Sequence, residues 1–423
     1  MKICLMTNTY LPHVGGVARS VSTFANEYLR LGHEVLVVAP RLPGRMTRKA
    51  ESIVERVAAI QNFNGSDFSV RLPLAATMSD RLDAFAADII HAHHPFLLGD
   101  TALRIATNRS VPVIFTHHTK YEDYVHYLPF ASPALRQAAI QMSTEYANLC
   151  DGVIAPSASI ASLIRRRGVT VPIKVVPTGI DTAAFAAGQG ARARKRFKIA
   201  PGIFVVGHCG RLAPEKNLRY LAESVALFLQ RTPKARFLVV GGGPAEAELK
   251  EVFARRGLAD RLVLAGSQTG QNLHDAYRAM NVFVFSSKSE TQGLVIAEAM
   301  AASLPVVALR ASGVREVVQA GRNGLLLAPN ASTAEFARQL GRLAGNRRQL
   351  QAFARAALAT AAGFSREHCA QEALAFYEEI RKATRRERLL TSQSSWLTLQ
   401  ERLAVEWDLL ARNARALTTA LAS

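Results

Sequence analysis

The feature that most constrains the fold is an alternation of short apolar runs with helical segments, which occurs twice along the 423 residues. This alternation is typical of parallel α/β layers. The first series of strands is predicted at 2–10, 33–39, 88–93, 111–117, 152–155 and 173–176. The second series is predicted at 203–207, 236–240, 261–265, 282–285 and 306–309. We therefore predict two doubly wound α/β domains that face one another and bind ligands at the carboxyl ends of their strands.

A polar, basic segment separates the two series. Its sequence, GQGARARKRFKIAPG, has no apolar periodicity, and we interpret it as an interdomain linker. After the second series the chain is predicted to be helical to its end. The predicted organisation is an N-terminal domain at 1–187, a linker at 188–202, a C-terminal domain at 203–365, a helix at 366–383 that packs back toward the N-terminal domain, and a helical tail at 384–423.

Cysteine usage and hydropathy exclude several protein classes. The four cysteines lie far apart without a CxxC pair, which excludes a disulfide scaffold and a cysteine-ligated zinc module and suits a reducing cytoplasm. No run reaches the roughly 18 apolar residues of a spanning helix. Met1–Asn8 lacks the apolar core of a signal peptide and is predicted to be a strand. We expect a cytoplasmic protein, peripheral on the inner face of the cytoplasmic membrane.

The charge balance is the unusual part of the composition. There are 52 Lys and Arg against 33 Asp and Glu, a net charge of +19. Such a balance favours nucleic acid, an anionic lipid surface or phosphorylated substrates, or it only keeps the protein soluble. A nucleic-acid-binding protein would need aromatic side chains interleaved with its basic ones. With 7% aromatic residues, we expect no nucleic-acid partner.

The segment SETQGLVIAE at 289–298 follows one predicted strand and begins a helix. Gly293 lets a ligand approach the backbone, and the first N–H groups of the helix form an anion site. Glu298 lies about one turn inside the helix, and its side chain points back toward the same end. Glu290 and Glu298 would then flank a phosphate site and bind sugar hydroxyls. The alternative is that the two acids only stabilise the helix dipole.

A second segment, GHCGRLAPEKN at 207–217, also joins a predicted strand to a helix. Arg211 suits bidentate binding of a diphosphate, and Lys216 adds a point charge. Since no DxD-like acid pair follows a strand in the same way, we expect these cations to replace a metal ion. The alternative is two surface cations beside a helix.

Glycines and histidines follow the strands of the first series. Gly15 and Gly16 form the first strand–helix turn, which suits either close approach of a phosphate or sugar, or a simple tight turn. Six of the eleven histidines cluster over a short stretch: His91, His93, His94, His117, His118 and His126. His91 and His93 share a strand face, which would permit zinc, but few carboxylates or thiols accompany the histidines, so we predict no metal site.

Together these motifs resemble those of retaining family-four glycosyltransferases with the GT-B fold. The resemblance covers about residues 1–382 and rests on the segments at 12–17, 175–181, 210–217 and 289–298. One departure is Gln292, where many relatives have Phe. The resemblance implies two Rossmann-like domains across a cleft, transfer with retention, no bound cofactor and no protein nucleophile. The leaving diphosphate would help to deprotonate the acceptor.

The resemblance also implies roles for single residues. Donor-binding roles fall on Arg211 and Lys216 at the diphosphate, Glu298 at the ribose, the backbone of Gly293 and Leu294 at the distal phosphate, and Gly16 at the phosphates from the other domain. The implied catalytic residues are Glu290, which would hold hydroxyls of the transferred sugar, and His118, which would lie beneath that sugar.

A narrower resemblance concerns the acceptor. The segments at 93–99 and 116–127 are similar to those of bacterial diacylglycerol glucosyltransferases, which act on membrane lipids. Candidate acceptor or membrane residues are Tyr121, Tyr124, Tyr127, Arg165, Arg166 and Arg167. The tyrosines suit a membrane interface or a helical core stripe, and the arginines an anionic leaflet or a solvated surface.

The helical tail carries an apolar stripe formed by Trp396, Leu399, Leu403 and Trp407. The stripe suits a lipid surface or a second subunit, and the sequence leaves both open.

The sequence therefore predicts a metal-independent retaining transferase that moves a hexose from UDP-glucose to a membrane lipid such as diacylglycerol. Its expected partners are a nucleotide sugar as co-substrate, a lipid acceptor and an anionic membrane surface, with a homo-oligomer formed through the tail as an option. The alternatives are a saccharide acceptor, a sugar-nucleotide epimerase of the same fold, and a basic nucleic-acid-binding protein.

Overall fold

The computed structural model describes residues 1–13, 15–41, 51–57, 79–123, 132–287, 290, 292–391, 408 and 412. The chain divides into two compact units, Met1–Gly179 with Cys369–Ser423, and Ile180–His368. Each unit contains its own parallel β-sheet. The predicted fold class of two doubly wound α/β domains is confirmed.

The first unit alternates strands and helices from its first residues. Its elements up to β7 are β1 Lys2–Met6, α1 Gly16–Arg30, β2 Glu34–Pro40, β3 Val54–Val57, α2 Ser79–Phe85, β4 Ile89–Ala92, α3 Leu98–Arg109, β5 Val113–Thr116, α4 Pro133–Asn148, β6 Gly152–Ala155, α5 Ala158–Arg166 and β7 Ile173–Val175. Helix α1 buries Val21, Phe24 and Tyr28 at helical spacing against the sheet. Strand β1 is apolar and buried from its second residue onward because helices cover both faces of a parallel sheet.

The second unit repeats the alternation. Its elements are α6 Thr182–Ala186, α7 Gly190–Arg196, β8 Phe204–Cys209, α8 Leu218–Gln230, β9 Ala235–Val240, α9 Glu246–Arg255, β10 Leu262–Leu264, α10 Gly270–Ala279, β11 Val282–Phe285, α11 Leu294–Ala301, β12 Val306–Leu309, α12 Ser312–Val317, β13 Gly324–Leu327, α13 Thr333–Gly345 and α14 Arg347–Ala362. Two hydrophobic clusters cover the two faces of its sheet.

The two sheets have the same strand order over six strands, and the first sheet has a seventh strand at one edge. The first is β3-β2-β1-β4-β5-β6-β7, and the second is β10-β9-β8-β11-β12-β13. In each sheet the chain leaves the first strand in one direction and later returns to pair on its other side. The crevice at the carboxyl ends of β1 and β4, or of β8 and β11, is where such sheets bind ligands.

Two edge strands, β3 and β13, were not predicted. Each has only four residues, and each lies at the outer edge of its sheet. In β3 the two central residues are Glu55 and Arg56, which remain partly exposed. Edge strands are often short and need not be apolar along their whole length. The apolar runs of β3 and β13 are therefore too short to predict either strand from the sequence.

The segment predicted as a linker has a different role. Residues Gly190–Arg196 form α7, which lies in the second unit and buries Ala193. A Cβ atom on Gly188 would lie 2.4 Å from the carbonyl oxygen of His274, and one on Gly190 would lie 2.2 Å from that of Arg278. These glycines therefore permit close packing against α10, and the units divide at residue 179 instead of 187.

The last described helix, α15 (Arg366–Thr391), returns to the first unit. Its apolar stripe includes Ala373, Phe376, Tyr377 and Ile380, all buried in the same cluster as β1 and α1. No helix in the described part of the chain combines the length and hydropathy that a membrane crossing requires.

Beyond α15 only Asp408 and Arg412 are described, and Arg412 is buried in the first unit. Its side chain is 1% exposed. The guanidinium donates to the carbonyl oxygen of Pro95 at 3.0 Å and to Asp100 Oδ1 at 2.5 Å, and it lies over the ring of Tyr146. At this position the tail packs on its own chain, whereas its predicted stripe of Trp396, Leu399, Leu403 and Trp407 falls outside the described residues.

Candidate active site

In the second unit, the loop after β8 carries Arg211 and Lys216. Gly210 has φ +151°, which turns the chain out of the strand, and the buried Leu212 anchors the loop. The Arg211 side chain is 61% exposed and forms an ion pair with Glu215, four residues later in the chain. Its guanidinium is therefore accessible to a ligand while its position is restrained.

Lys216 and Glu290 form an ion pair that joins the two main sequence motifs. Lys216 Nζ donates to Glu290 Oε2 at 3.0 Å, and both side chains are largely buried. The backbone N–H of Gly293 donates weakly to the other carboxylate oxygen at 3.4 Å. The pair forms because β8 and β11 are neighbours in the sheet. The sequence motif pairs Glu290 with Glu298 and does not predict this contact with Lys216.

Helix α11 begins after Gly293, which has φ +78°. A Cβ atom there would lie 2.9 Å from the carbonyl oxygen of Gly313, so both conformation and space require glycine. Leu294 is the first helical residue, and its N–H belongs to the set that a helix leaves without an intrahelical acceptor. These N–H groups are the ones that the predicted anion site would use.

Glu298 lies in the same helix but is more enclosed than the sequence suggested. The residue is 1% exposed, and Tyr277 Oη donates to its Oε2 at 2.8 Å. Burial is the main reason why the pKa of Tyr277 is raised well above its usual value, so the phenol remains a donor. The sequence did not identify Tyr277 as a site residue, because the segment that forms α10 contains no recognisable motif.

A turn of three glycines at 241–243 supports the Arg211 loop. The backbone N–H of Leu212 donates to the Gly242 carbonyl at 3.0 Å. Cβ atoms on Gly241 and Gly243 would lie 1.9 Å from the Gly210 oxygen and 2.4 Å from the Leu212 oxygen. This turn is not among the predicted site segments, although three consecutive glycines after a predicted strand are a signal in the sequence.

In the first unit, the turn after β1 leads into α1 at Gly16. A Cβ atom on Gly16 would meet nothing within 4 Å, so the protein's own packing leaves open space beside this residue. A Cβ atom on Gly15 would lie 2.9 Å from His13 Nε2. The contact at Gly15 is with the far end of a side chain, and no packing contact requires glycine at Gly16.

The predicted histidine cluster is a buried hydrogen-bonded network at the ends of β4 and β5. His91 Nε2 lies 2.6 Å from Thr116 Oγ1, and its Nδ1 lies 2.5 Å from Tyr377 Oη. Tyr377 in turn bonds to the hydroxyl of Tyr28 at 2.9 Å. Helices α1 and α15 therefore both contribute to the network, although neither belongs to the histidine-rich segments.

Four further hydrogen bonds tie the loop after β4 to Asn8 and to the segment after β5. The backbone N–H of Asn8 donates to His94 Nδ1 at 3.1 Å, and the Asn8 side chain bonds to the backbone of Phe96 and Leu98. His93 Nδ1 lies 2.9 Å from His118 Nε2. His126 falls outside the described residues.

Burial keeps these imidazoles uncharged. It lowers the pKa of His91 and His94 to about 3 and that of His117 to about 4. Burial, with the neighbouring imidazoles as a smaller cause, also holds the pKa of His93 and His118 well below 6.5. Across the described residues, no three His, Cys, Asp or Glu side chains come together in a way that could hold a metal ion.

The predicted acceptor residues are only partly described. Tyr121 packs inward against Phe96 and His117, and its hydroxyl is buried. Arg165 and Arg166 are exposed at the end of α5, whereas Arg167 pairs with Glu122 at 2.5 Å. Tyr124 and Tyr127 fall outside the described residues. Of the tyrosines, Tyr121 fits the core alternative.

Two family models match the chain. Residues 14–184 match the model described as Glycosyltransferase Family 4, and residues 203–346 match the model described as Glycosyl transferases group 1. These ranges include the clustered histidines of the first unit and both charged motifs of the second.

Three curated proteins illustrate the sequence similarity. An alpha-monoglucosyldiacylglycerol synthase of Streptococcus pneumoniae is 30% identical over 320 residues, covering 73% of this chain and 71% of the relative. The enzyme of the same name from Acholeplasma laidlawii is 27% identical, covering 78% and 85%. A GDP-mannose-dependent alpha-mannosyltransferase of Mycobacterium tuberculosis is 29% identical, covering 90% and 97%.

Solved structures show the same fold at lower identity. HepE of Anabaena in complex with UDP has a TM-score of 0.71 at 22% identity, covering 90% of this chain and all of that one. Sucrose-phosphate synthase of Thermosynechococcus elongatus has a TM-score of 0.72 at 18% identity, covering 90% and 99%.

Proposed function

The chain belongs to the family-four glycosyltransferases with the GT-B fold, and from this membership we propose that it transfers glucose from UDP-glucose to diacylglycerol with retention of anomeric configuration. The enzyme class follows from the family. The donor, the acceptor and the stereochemistry are the proposal. They are supported by the two monoglucosyldiacylglycerol synthases among the relatives and by the UDP complex of a protein with the same fold.

The observation that carries the proposal is the Lys216–Glu290 pair. In a nucleoside diphosphate sugar, the distal phosphate is bonded directly to the anomeric carbon. A site for such a donor therefore needs a cation and a hydroxyl-binding carboxylate within a few ångströms of each other. Lys216 Nζ and Glu290 Oε2 are 3.0 Å apart beside the start of α11, which supports this kind of donor.

In the proposed reaction, the bond between the anomeric carbon and the phosphate oxygen breaks, and a bond to the acceptor hydroxyl forms on the same face. The acceptor proton passes to the departing phosphate. Arg211 and Lys216 stabilise the negative charge on that phosphate without a metal ion, and Glu290 orients the sugar through its hydroxyls. Glu298 binds the ribose, and the backbone at Gly293 and Leu294 binds the distal phosphate.

We also propose that the enzyme works at an anionic membrane surface. The exposed Arg165 and Arg166 support this, because each cation near such a surface contributes about 1 kcal/mol. The double variant Arg165→Ala/Arg166→Ala is expected to bind vesicles containing phosphatidylglycerol more weakly in a flotation assay. Arg167→Ala is not a suitable control because Arg167 supports Glu122.

A second candidate is mannosyl transfer from GDP-mannose. It is favoured by the mannosyltransferase match, which spans 90% of this chain against 73% for the first synthase. The two candidates differ in donor base and sugar, so one experiment separates them.

The test is incubation of the purified protein with radiolabelled UDP-glucose, UDP-galactose or GDP-mannose, and with vesicles that contain diacylglycerol. We expect labelled lipid from UDP-glucose, with an α linkage by NMR, and a strong loss of label with Glu290→Gln. Labelled lipid from GDP-mannose alone would overturn the proposal that UDP-glucose is the donor. Transfer of the labelled sugar only to an added saccharide would overturn the proposal that diacylglycerol is the acceptor.

Metal independence is tested in the same assay. Activity is expected to persist after treatment with EDTA. Loss of activity in EDTA that added Mg²⁺ or Mn²⁺ restores would overturn this part of the proposal.

A further inference from the structure

The contact between His93 and His118 is the part of the histidine network that the proposed function leaves unexplained. His93 is fully buried at the end of β4, and His118 is half-buried just after β5. Their rings are stacked with centroids 5.2 Å apart, and Nδ1 of His93 lies 2.9 Å from Nε2 of His118. One of these two nitrogens carries the shared proton.

The position of that proton follows from the surroundings of His93. Both rings are neutral, so each carries a single N–H. If His118 donated from Nε2, the proton of His93 would be on its own Nε2. That atom is buried and has no hydrogen-bond partner among the described residues. A buried N–H without an acceptor is rare in native proteins because it loses its bond to water and gains none.

The other arrangement avoids an unpaired donor. If His93 donates from Nδ1, its Nε2 carries only a lone pair, and His118 accepts at Nε2. Neutral His118 then carries its proton on Nδ1. This is also the ring nitrogen that remains available to a ligand, since Nε2 is occupied by His93.

The orientation of the His93 ring is restrained by the neighbouring ring of His91. The ring of His91 packs on it at a centroid distance of 4.1 Å. His91 cannot rotate easily, because both of its ring nitrogens are hydrogen-bonded, to Thr116 and to Tyr377. The tautomer of His118 is therefore set by a rigid stack of imidazoles that reaches back to α15.

We propose that His93 is a positioning residue that holds His118 as the Nδ1–H tautomer, so that His118 serves as a neutral hydrogen-bond donor to a hydroxyl oxygen of the transferred sugar. The inference rests on the proposed function and on the role that the family resemblance implies for His118, beneath the transferred sugar. It adds that His118 acts neither as a base nor as a cation in the reaction.

Two substitutions of His93 separate positioning from packing. The side-chain amide of Asn places a donor near the position of Nδ1, whereas the amide of Gln lies near the position of Nε2. We expect His93→Asn to retain most of the activity. We expect His93→Gln to lower kcat about 100-fold with little change in KM for the nucleotide sugar, because the lost contact forms fully only in the transition state.

Tyr146→Phe is the matched control. It removes another buried hydrogen bond of the first unit, from Tyr146 to the carbonyl of Gly99, and contacts neither His93 nor His118. Its loss of thermal stability is expected to resemble that of His93→Gln, while its kcat stays near that of the wild type. Equal kcat values for His93→Gln and Tyr146→Phe would overturn the proposal, as would failure of a folded His93→Asn variant to retain activity.

A spectroscopic test does not depend on activity. Long-range ¹H–¹⁵N correlation spectra of the full chain distinguish the two neutral tautomers of His118. We expect Nδ1–H in the wild type and in His93→Asn, and a mixture in His93→Gln. An Nε2–H tautomer in the wild type would overturn the proposal. If no nucleotide sugar is turned over but the tautomers behave as expected, the proposed function fails and the positioning role of His93 stands.

Discussion

The two units have sheets of the same strand order, but the groups at the ends of their central strands are opposite in kind. In the second unit these groups are ionised: Arg211 is exposed, and Lys216 is paired with Glu290. In the first unit they are neutral imidazoles buried in a hydrogen-bonded network. The same topology therefore carries two different kinds of polar group at the ends of its central strands.

The difference has a physical reason. A diphosphate carries several negative charges, and protein cations that bind it must stay near solvent because burying them alone is costly. A sugar ring carries no charge and is recognised by donors and acceptors fixed in direction. Burial suits such groups because it orders neutral hydrogen bonds. Under the proposed function, the charged groups therefore lie in the second unit, and the first unit carries neutral groups with fixed hydrogen-bond directions.

The largest expected effect that tests this contrast is a fall in the free energy of unfolding of the first unit as the pH is lowered. Unfolding returns a histidine pKa to about 6.5, so below that pH the unfolded chain binds more protons than the folded one. Stability is therefore present above pH 6.5 and is lost as the pH falls toward the folded pKa values of about 3 to 4 for His91, His94 and His117. These three alone give a loss of up to about 4 kcal/mol per pH unit.

The measurement is hydrogen exchange by mass spectrometry between pH 7.5 and 5.5, with peptides assigned to each unit after correction for intrinsic rates. In the described part of the second unit, His208 is the histidine with a lowered pKa, about 4, so a smaller loss is expected there. Equal losses of protection in the two units would contradict the contrast.

The next largest effect concerns a charge that the first unit does bury. Asp100→Asn leaves the enclosed guanidinium of Arg412 without its carboxylate, and we expect a loss of about 3–5 kcal/mol in the free energy of unfolding. Urea denaturation followed by circular dichroism measures it. The control is Glu215→Gln, which breaks the exposed pair with Arg211 and is expected to cost at most about 1 kcal/mol. Similar costs for both variants would show that Arg412 is not buried in solution.

The third effect is on catalysis by the second unit. Lys216→Ala removes the cation beside Glu290, and we expect kcat/KM to fall about 10²–10³-fold because the leaving phosphate loses a fixed positive charge. Steady-state kinetics with UDP-glucose measure the change. Lys250→Ala, which removes an exposed lysine paired with Glu246, is expected to leave kcat/KM unchanged. A Lys216→Ala variant as active as Lys250→Ala would remove Lys216 from the donor site.

The smallest expected effect is at Arg211, where a substitution should change the affinity for UDP without changing thermal stability. Arg211→Ala is expected to weaken UDP binding about 10-fold to 100-fold, the value of a few charge-assisted hydrogen bonds. Because its ion pair with Glu215 is exposed, thermal stability should be unchanged. Isothermal titration calorimetry with UDP and a thermal melt measure the two quantities. Unchanged affinity would exclude the diphosphate role.

Much of the fold was predictable because its signals are local. The spacing of Val21, Phe24 and Tyr28 predicts α1, and the apolar run at 282–285 predicts β11 with its observed bounds. The turn residues at Gly210 and Gly293 were also predictable, because a positive φ at a strand–helix turn selects glycine. The same local view misread Gly188 and Gly190, which serve a helix contact and not a linker.

The sequence by itself determined the two α/β repeats, the charged motifs and the family, since each is written in residues close together in the chain. Only the tertiary structure decided which groups meet: Lys216 with Glu290 across 74 residues, and His91 with Tyr377 across 286. Such pairs depend on strand order and on the return of α15, which no local periodicity encodes. The same applies to charge state, because the histidines become neutral only when the fold removes them from water.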